Sequence, residues 1–68
     1  MTIETITPAE ATERLRALGM KISTTTLRDG IEQGKYPFGI YIKSKSGGNV
    51  YQIYKRLFDS WIAERATE

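Results

Sequence analysis

The segment from Ile22 to Pro37 constrains the fold most, because it carries signals for the start, the interior and the end of a short helix. Leu27 and Ile31 are four positions apart and therefore share one helical face. Gly34 can adopt the left-handed conformation that ends a helix, and the proline that follows cannot continue one. We therefore predict a helix over residues 24–33. Its N-cap is Ser23 or Thr24, whose hydroxyl can accept a hydrogen bond from the first turn.

The opposite face of this predicted helix carries short hydroxyls, a guanidinium and a carboxylate. Such side chains bind base edges and phosphates in protein–DNA complexes. The apolar face is only two residues wide, so the helix must pack against the rest of the chain. The alternative interpretation is a small amphipathic helix whose outer face meets only solvent. The candidate DNA-binding residues here are Thr24, Thr25, Arg28 and Asp29.

The N-terminal part of the sequence predicts an extended arm over residues 1–6 and a helix over residues 7–18. The sequence Thr-Pro-Ala-Glu at 7–10 fits a capping box with proline at the first helical position. Gly19 would end this helix, and a tight connection would lead to the second one, as in a helix-turn-helix. The predicted buried stripe of the first helix consists of Ala11, Leu15 and Leu18.

After Pro37 the hydrophobic period changes from 3.6 to 2, which indicates strands. Residues 38–43 and 50–55 would form a β-hairpin with a Gly-rich loop between the strands. The apolar face of the first strand would carry Phe38, Ile40 and Ile42. Residues 56–66 return to helical spacing. The residues predicted to be largely buried are Leu15, Leu27, Ile31, Ile40, Ile53, Phe58 and Trp61.

Composition excludes several classes of protein. The 68 residues suffice for one domain, and the absence of Cys and His excludes a disulfide and a Cys/His metal site. No apolar run is long enough to span a membrane, and we expect no signal peptide. We also expect no enzymatic activity and no cofactor, because the glycine pair at 47–48 lies in a hairpin loop rather than between a strand and a helix.

Basic residues are concentrated in the middle of the chain. Residues 14–56 contain nine of the ten Lys and Arg residues but only two of the eight acidic residues. This distribution favours a polyanionic partner, although folding can also scatter the charges over every face. The candidate DNA contacts outside the second helix are Lys35, Lys43, Lys45, Asn49, Lys55 and Arg56.

Several motifs resemble those of the excisionase and MerR-like winged helix-turn-helix family, in the same order and at the same spacing. Residues 7–11, TPAEA, resemble the T-x-x-E-A opening of these domains. Residues 22–27, ISTTTL, are similar to the V-S-x-S-T-L start of their recognition helix. Residues 31–37, IEQGKYP, are similar to the I-x-x-G-K-L-P sequence that follows it. Residues 48–53 and 58–62 are similar to the second wing strand and the closing helix.

The resemblance implies a small α+β winged helix-turn-helix domain: a helix-turn-helix, a two-stranded antiparallel wing and a C-terminal helix. Proteins of this family bind double-stranded DNA in phages and integrative elements, in the cytoplasm of the bacterial host. Their recognition helix enters the major groove and their wing contacts the backbone or minor groove. Excisionases bend attachment-site DNA and direct an integrase towards excision, so an integrase or further copies of the chain are the expected partners.

The sequence departs from the family pattern in its second helix. Asp29 and Glu32 place negative charge where the family has basic or neutral residues, and Gly30 replaces an apolar residue. Two alternatives to an excisionase therefore stay open. One is a small phage or plasmid transcription regulator on the same fold. The other is a protein adaptor, or an accessory of DNA packaging or virion assembly, that does not bind DNA.

Overall fold

The computed structural model describes residues 1–67, which form a small α+β domain with three helices and a three-stranded antiparallel sheet. The α+β class predicted from the sequence is confirmed, and the bounds of the helices and hairpin strands differ from the predicted ones by one residue at most. In chain order the elements are β1 (Thr5–Ile6), α1 (Pro8–Ala17), α2 (Thr24–Glu32), β2 (Gly39–Lys43), β3 (Asn49–Tyr54) and α3 (Lys55–Arg65).

Hydroxyl side chains start both of the first two helices. The Thr7 hydroxyl accepts a hydrogen bond from the backbone N–H of Glu10 at 3.1 Å. The Ser23 hydroxyl accepts one from the N–H of Thr26 at 3.2 Å. Each bond satisfies a backbone donor that has no partner within its helix, which stabilises the helix by roughly 1 kcal/mol. The capping box is incomplete, because the Glu10 carboxylate accepts from the Thr7 hydroxyl instead of the Thr7 N–H.

Glycine ends the same two helices. Gly19 and Gly34 have φ angles of +94° and +72°, in the left-handed region that other residues rarely adopt. After each glycine the chain turns back, and the following N–H donates to a carbonyl five residues earlier. This is the Schellman arrangement, in which carbonyls at the end of a helix find donors. The sequence predicted both helix ends.

The sheet has three strands and not the two predicted, because the N-terminal arm is not free. Thr5 pairs with Tyr54 and Ile6 with Ile53, so β1 extends the hairpin in the strand order β1-β3-β2. The prediction of an extended arm over residues 1–6 agrees with the strand at Thr5–Ile6, but it did not include the pairing of this strand with β3. Two residues are too short for an alternating pattern, and their partner lies at the far end of the sequence.

The faces of the hairpin also differ from the prediction. Ile40 and Ile42 are 42% and 48% exposed, on the side of the sheet that no helix covers. Tyr41, Tyr51 and Ile53 occupy the inner side instead. Phe38 lies in the turn before β2, so the direction of its side chain does not follow the alternation of the strand. Its side chain is fully buried. The prediction that Ile40 belongs to the core is therefore wrong.

Most of the predicted core is present. The buried apolar cluster joins all three helices to β1 and β3, and it contains five of the seven residues predicted to be buried. Trp61 is half-buried at the margin of this cluster. Leu18, which was predicted to complete the buried stripe of α1, is 63% exposed. The third buried residue of α1 is Thr12, whose hydroxyl donates to the Pro8 carbonyl. The nine residues of the cluster are Ile6, Ala11, Leu15, Ile22, Leu27, Ile31, Phe38, Ile53 and Phe58.

A group of aromatic rings closes the core between α2 and α3. Tyr36 stacks on Phe38 at 5.2 Å, and Phe38 meets the edges of Phe58 and Trp61 at 5.0 and 5.3 Å. Gly30 makes room for the Tyr36 ring, since a Cβ atom at position 30 would lie 2.3 Å from Tyr36 Cε2. The glycine that weakens α2 in isolation is therefore required by the packing around it.

Candidate nucleic-acid interface

The outer face of α2 presents four exposed polar residues. Thr25, Arg28, Asp29 and Glu32 follow the spacing i, i+3, i+4 and i+7, so they line one side of the helix. Leu27 and Ile31 occupy the opposite, buried side. Thr24 differs from the other candidates because it is half-buried in the first turn. The sequence therefore predicted three exposed residues of this face and omitted Glu32 as a site residue.

One tyrosine of the hairpin connects this helical face to the sheet. The Tyr51 hydroxyl donates a hydrogen bond of 2.9 Å to Oε2 of Glu32. The guanidinium of Arg28 lies over the Tyr51 ring, with its Cζ atom 5.6 Å from the ring centroid. This distance is within the range of a cation–π interaction. Tyr51 thus contacts both charged residues of α2 that are nearest to the sheet.

The contact continues from Tyr51 towards the hairpin loop. The ring of Tyr41, which is opposite Tyr51 in the strand register, lies 5.1 Å away between centroids. The Tyr41 hydroxyl donates to Oδ1 of Asn49 at 3.2 Å, and Asn49 is itself paired with Lys43. Because alternate residues of a strand share a face, Lys43 and Asn49 lie on the same side of the sheet as the two tyrosines.

These residues form one continuous surface that runs from α2 to the end of the hairpin. Lys45 lies in the adjoining loop, at Ser44–Gly48, where the Ser44 N–H donates to the Gly48 carbonyl and closes the hairpin. The surface combines two cations with two carboxylates, so its formal charges sum to zero, and Lys45 in the adjoining loop adds one positive charge. The α2–hairpin surface, as we call it, consists of Thr25, Arg28, Asp29, Glu32, Tyr41, Lys43, Asn49 and Tyr51.

The remaining basic candidates lie elsewhere. Lys35 is exposed and follows α2 beyond Gly34. Lys55 and Arg56 begin α3 at the other end of β3. Since a strand rises about 3.3 Å per residue, the five steps from Asn49 to the end of β3 place them roughly 17 Å from Asn49. The Lys55 ammonium forms an ion pair with the Asp59 carboxylate at 2.9 Å, which partly neutralises its charge. Of the ten predicted site residues, five therefore belong to the α2–hairpin surface and one, Lys45, to its loop. Thr24 is half-buried beside the surface, and the other three residues occupy two separate basic positions.

The environment of Tyr51 favours its protonated form. Desolvation of the phenol, together with its hydrogen bond to Glu32 and the negative charge of that carboxylate, raises the pKa of Tyr51 above its ordinary value of 10.0. Arg28 acts in the opposite direction, but its effect is the smallest. The hydroxyl therefore remains a donor to Glu32 at every pH near neutrality.

Two further depressions lie away from this surface. An open apolar groove of about 480 Å³ between the end of α1 and α3 is lined by Leu18, Met20, Trp61 and Ile62, among others. Arg65 covers one side of it, with Cζ 4.3 Å from the Trp61 ring centroid. A smaller cleft near Glu4 and Lys55 contains charges of both signs. Within residues 1–67 no group of three or more acidic residues is placed to bind a metal ion.

Sequence reasoning missed Tyr41 and Tyr51, although the sequence contained a signal for them. A hairpin loop centred on Ser46 pairs residue 41 with residue 51 and residue 43 with residue 49, as observed. The pairing places two aromatic side chains opposite each other, a combination that stabilises antiparallel strands. The contact of Tyr51 with α2 had no comparable signal, because it depends on how the helix packs on the sheet.

Comparisons with known proteins found no match. No protein-family model matches the chain, and searches of curated proteins and of solved structures gave no significant similarity. No helix within residues 1–67 is long and apolar enough to cross a membrane.

Proposed function

We propose that this chain is a small winged helix-turn-helix protein that binds double-stranded DNA, with α2 as the recognition helix and the β2–β3 hairpin as the wing. One observation carries the proposal. The exposed face of α2 and the hairpin form one surface, joined by the contacts of Tyr51 with Arg28 and Glu32. A helix and a hairpin held side by side in this way can contact a major groove and the adjoining backbone together.

In this proposal the residues have different roles. Arg28 carries a planar fork that can bind both acceptors of a guanine, while Thr25 contacts a base edge or a phosphate. Lys43, Lys45 and Asn49 contact the backbone next to the groove that α2 enters. Asp29 either accepts a hydrogen bond from a cytosine amino group or repels phosphates. Lys35, Lys55 and Arg56 would meet only a duplex that extends or bends past the ends of this surface.

The proposed biological role is that of an excisionase, a recombination directionality factor of a phage or mobile element that binds and bends attachment-site DNA. A transcription regulator on the same fold is the alternative, and it would act in the same compartment, the cytoplasm of a bacterial host. Titration against duplexes from the ends of the element and from its promoters distinguishes the two roles. A bending assay adds a second criterion, because only the excisionase role requires bent attachment-site DNA.

The test of DNA binding compares two substitutions at two salt concentrations. Lys45→Ala removes a flexible charge suited to phosphate, so affinity should fall about equally on all sequences and the slope of log K against log salt should decrease by about 0.9. Arg28→Ala should cost about 1–3 kcal/mol on the preferred duplex and less on random duplex. Arg16→Ala is the matched control, because Arg16 is an exposed arginine of α1 and is not one of the candidate DNA contacts.

A specific observation favours a second candidate, a protein adaptor without DNA binding. The outer side of the sheet exposes three apolar side chains, Ile40, Ile42 and Val50, each more than 40% accessible. Sheets with one solvated face usually carry polar residues there. If the wild-type chain binds no duplex more tightly than about 10⁻⁴ M at low salt, the weak limit of non-specific binding, DNA binding is contradicted and the adaptor role replaces it.

A further inference from the structure

The acidic residue Glu32 is an unexpected member of a surface proposed to face DNA. It is exposed on the same face of α2 as Arg28, and the two are four residues apart, the spacing at which opposite charges pair along a helix. In the described part of the chain the ion pairs are Lys55–Asp59 and Glu64–Arg65, and neither involves α2. The Glu32 carboxylate instead accepts the hydrogen bond from the Tyr51 hydroxyl at 2.9 Å.

Tyr51 therefore makes two contacts with α2 through two different parts of its side chain. Its hydroxyl holds Glu32, and its ring face lies beneath the guanidinium of Arg28 at 5.6 Å. Among the side-chain hydrogen bonds described within residues 1–67, the bond to Glu32 is the one that joins α2 to the sheet. Because the Glu32 carboxylate accepts from Tyr51, it does not pair with Arg28. The Tyr51 ring supports one face of the Arg28 guanidinium, and the N–H groups of the guanidinium stay available to bind a base.

We propose that Tyr51 is a positioning residue that fixes α2 relative to the hairpin and presents Arg28 for base recognition, so that its hydroxyl sets the sequence specificity of DNA binding. The inference rests on the proposed function. It also assigns a role to Glu32, as the anchor that receives the Tyr51 hydroxyl, which gives a reason for a carboxylate on this surface even though its charge weakens non-specific DNA binding.

A neutral positioning residue should affect specificity and leave the electrostatic part of binding unchanged. Tyr51 carries no charge and is half-buried, so removing its hydroxyl releases no additional counterion and leaves Lys43 and Lys45 in place. The geometry of Arg28 would change instead, and bidentate recognition of a base depends on that geometry. The expected signature is a lower specificity ratio at an unchanged salt slope.

The experiment measures binding to two probes: the duplex that the wild-type chain selects from a randomised pool, and the unselected pool. In Tyr51→Phe the ratio of the two affinities should fall about three- to tenfold, the scale of one net hydrogen bond. Tyr54→Phe is the matched control, because the Tyr54 hydroxyl bonds to Gln52 at 3.3 Å and its strand partner Thr5 is exposed on the side away from α2. Its ratio should equal that of the wild type.

Two substitutions at position 32 separate the hydrogen bond from the charge. Glu32→Gln and Glu32→Ala both remove the negative charge, but only Gln keeps an oxygen that can accept from Tyr51. Both should bind the random pool more tightly than the wild type. Glu32→Ala should lose specificity about as much as Tyr51→Phe, and Glu32→Gln should retain it. The double variant Tyr51→Phe/Glu32→Ala should lose no more than either single variant, as expected for partners in one interaction.

Hydrogen exchange without DNA supplies a second readout. Amides of β2 and β3 should exchange faster in Tyr51→Phe and Glu32→Ala than in Tyr54→Phe and Glu32→Gln. The inference is overturned if wild-type selectivity survives in both Tyr51→Phe and Glu32→Ala, an outcome that leaves the proposed DNA binding intact. If the wild-type chain selects no sequence from the pool and binds no duplex, the inference and the proposed function are both contradicted. Titration of the wild-type chain alone shows whether this is the case.

Discussion

Single residues decide the character of the α2–hairpin surface, and Tyr51 is the most informative of them. It was not a candidate in the sequence, since a tyrosine in an alternating strand is ordinary. Its position opposite Tyr41 and beneath Arg28 gives it a defined environment. Its ring contacts Arg28 and its hydroxyl bonds to Glu32, so it restricts the position of α2 more than a phenylalanine or a leucine at position 51 would.

The raised pKa of Tyr51 predicts a distinct titration. Desolvation and Glu32 raise this pKa above 10.0, so Tyr51 should lose its proton above pH 10 when phenolate absorbance is followed against pH. Glu32→Gln removes the neighbouring charge and should lower the pKa of Tyr51 towards its ordinary value. Glu32→Ala also removes the acceptor, so a titration curve of Glu32→Ala that overlays that of the wild type would contradict the hydrogen bond.

The same shift determines a dependence of stability on pH. The folded state holds the Tyr51 proton more tightly than the unfolded state, so its contribution to stability is complete below pH 10 and is lost as the pH rises through the folded pKa. The melting temperature of the wild type should therefore fall more steeply over this alkaline pH range than the melting temperature of Tyr51→Phe.

At the scale of elements, local signals determined the helices and tertiary packing determined the sheet. The N-caps Thr7 and Ser23 and the ends at Gly19 and Gly34 depend only on neighbouring residues, and sequence reasoning placed them within one residue. β1 was missed because its two residues pair with partners that lie 49 and 47 positions away in the sequence. The inward face of β2 was misassigned because Phe38 leaves the strand alternation in the preceding turn.

Packing between elements also explains Gly30, and this explanation can be tested. In wild type, Gly30→Ala would press a methyl group against Tyr36, displacing its ring from Phe38. Overpacking of this kind costs about 1–3 kcal/mol, more than the gain of roughly 1 kcal/mol in helix propensity. We therefore expect Gly30→Ala to lower the melting temperature of the wild type.

The Tyr36→Ala background provides the control for this prediction. Without the ring, the same Gly30→Ala substitution should stabilise α2 by about 0.5–1 kcal/mol, because only the propensity gain remains. The two backgrounds should thus give changes of opposite sign in denaturant unfolding. Equal stabilisation in both would mean that Tyr36 does not occupy the space above Gly30.

At the scale of the whole molecule, the candidate site could be predicted only in part. Three residues of α2 lie together as the helical period required, and Lys43 and Asn49 join them through the hairpin register. Lys35, Lys55 and Arg56 lie apart, because the position of a basic residue in the sequence does not indicate which side of a fold it occupies. The excess of positive charge in the middle of the sequence is accordingly distributed around the molecule.

The pairing of Thr5 with Tyr54 has a consequence for the synthesis of the chain. A nascent chain emerges from its N-terminus, yet β1 acquires its partner only when β3 has been made, and the core waits for Ile53 and Phe58. Helices as short as α1 and α2 are marginal without that support. Folding of this domain should therefore wait until β3 and the start of α3 have been synthesised. A fragment of residues 1–48 should lack protected amides in hydrogen exchange, and a fragment with native-like protection would show that the two helices fold first.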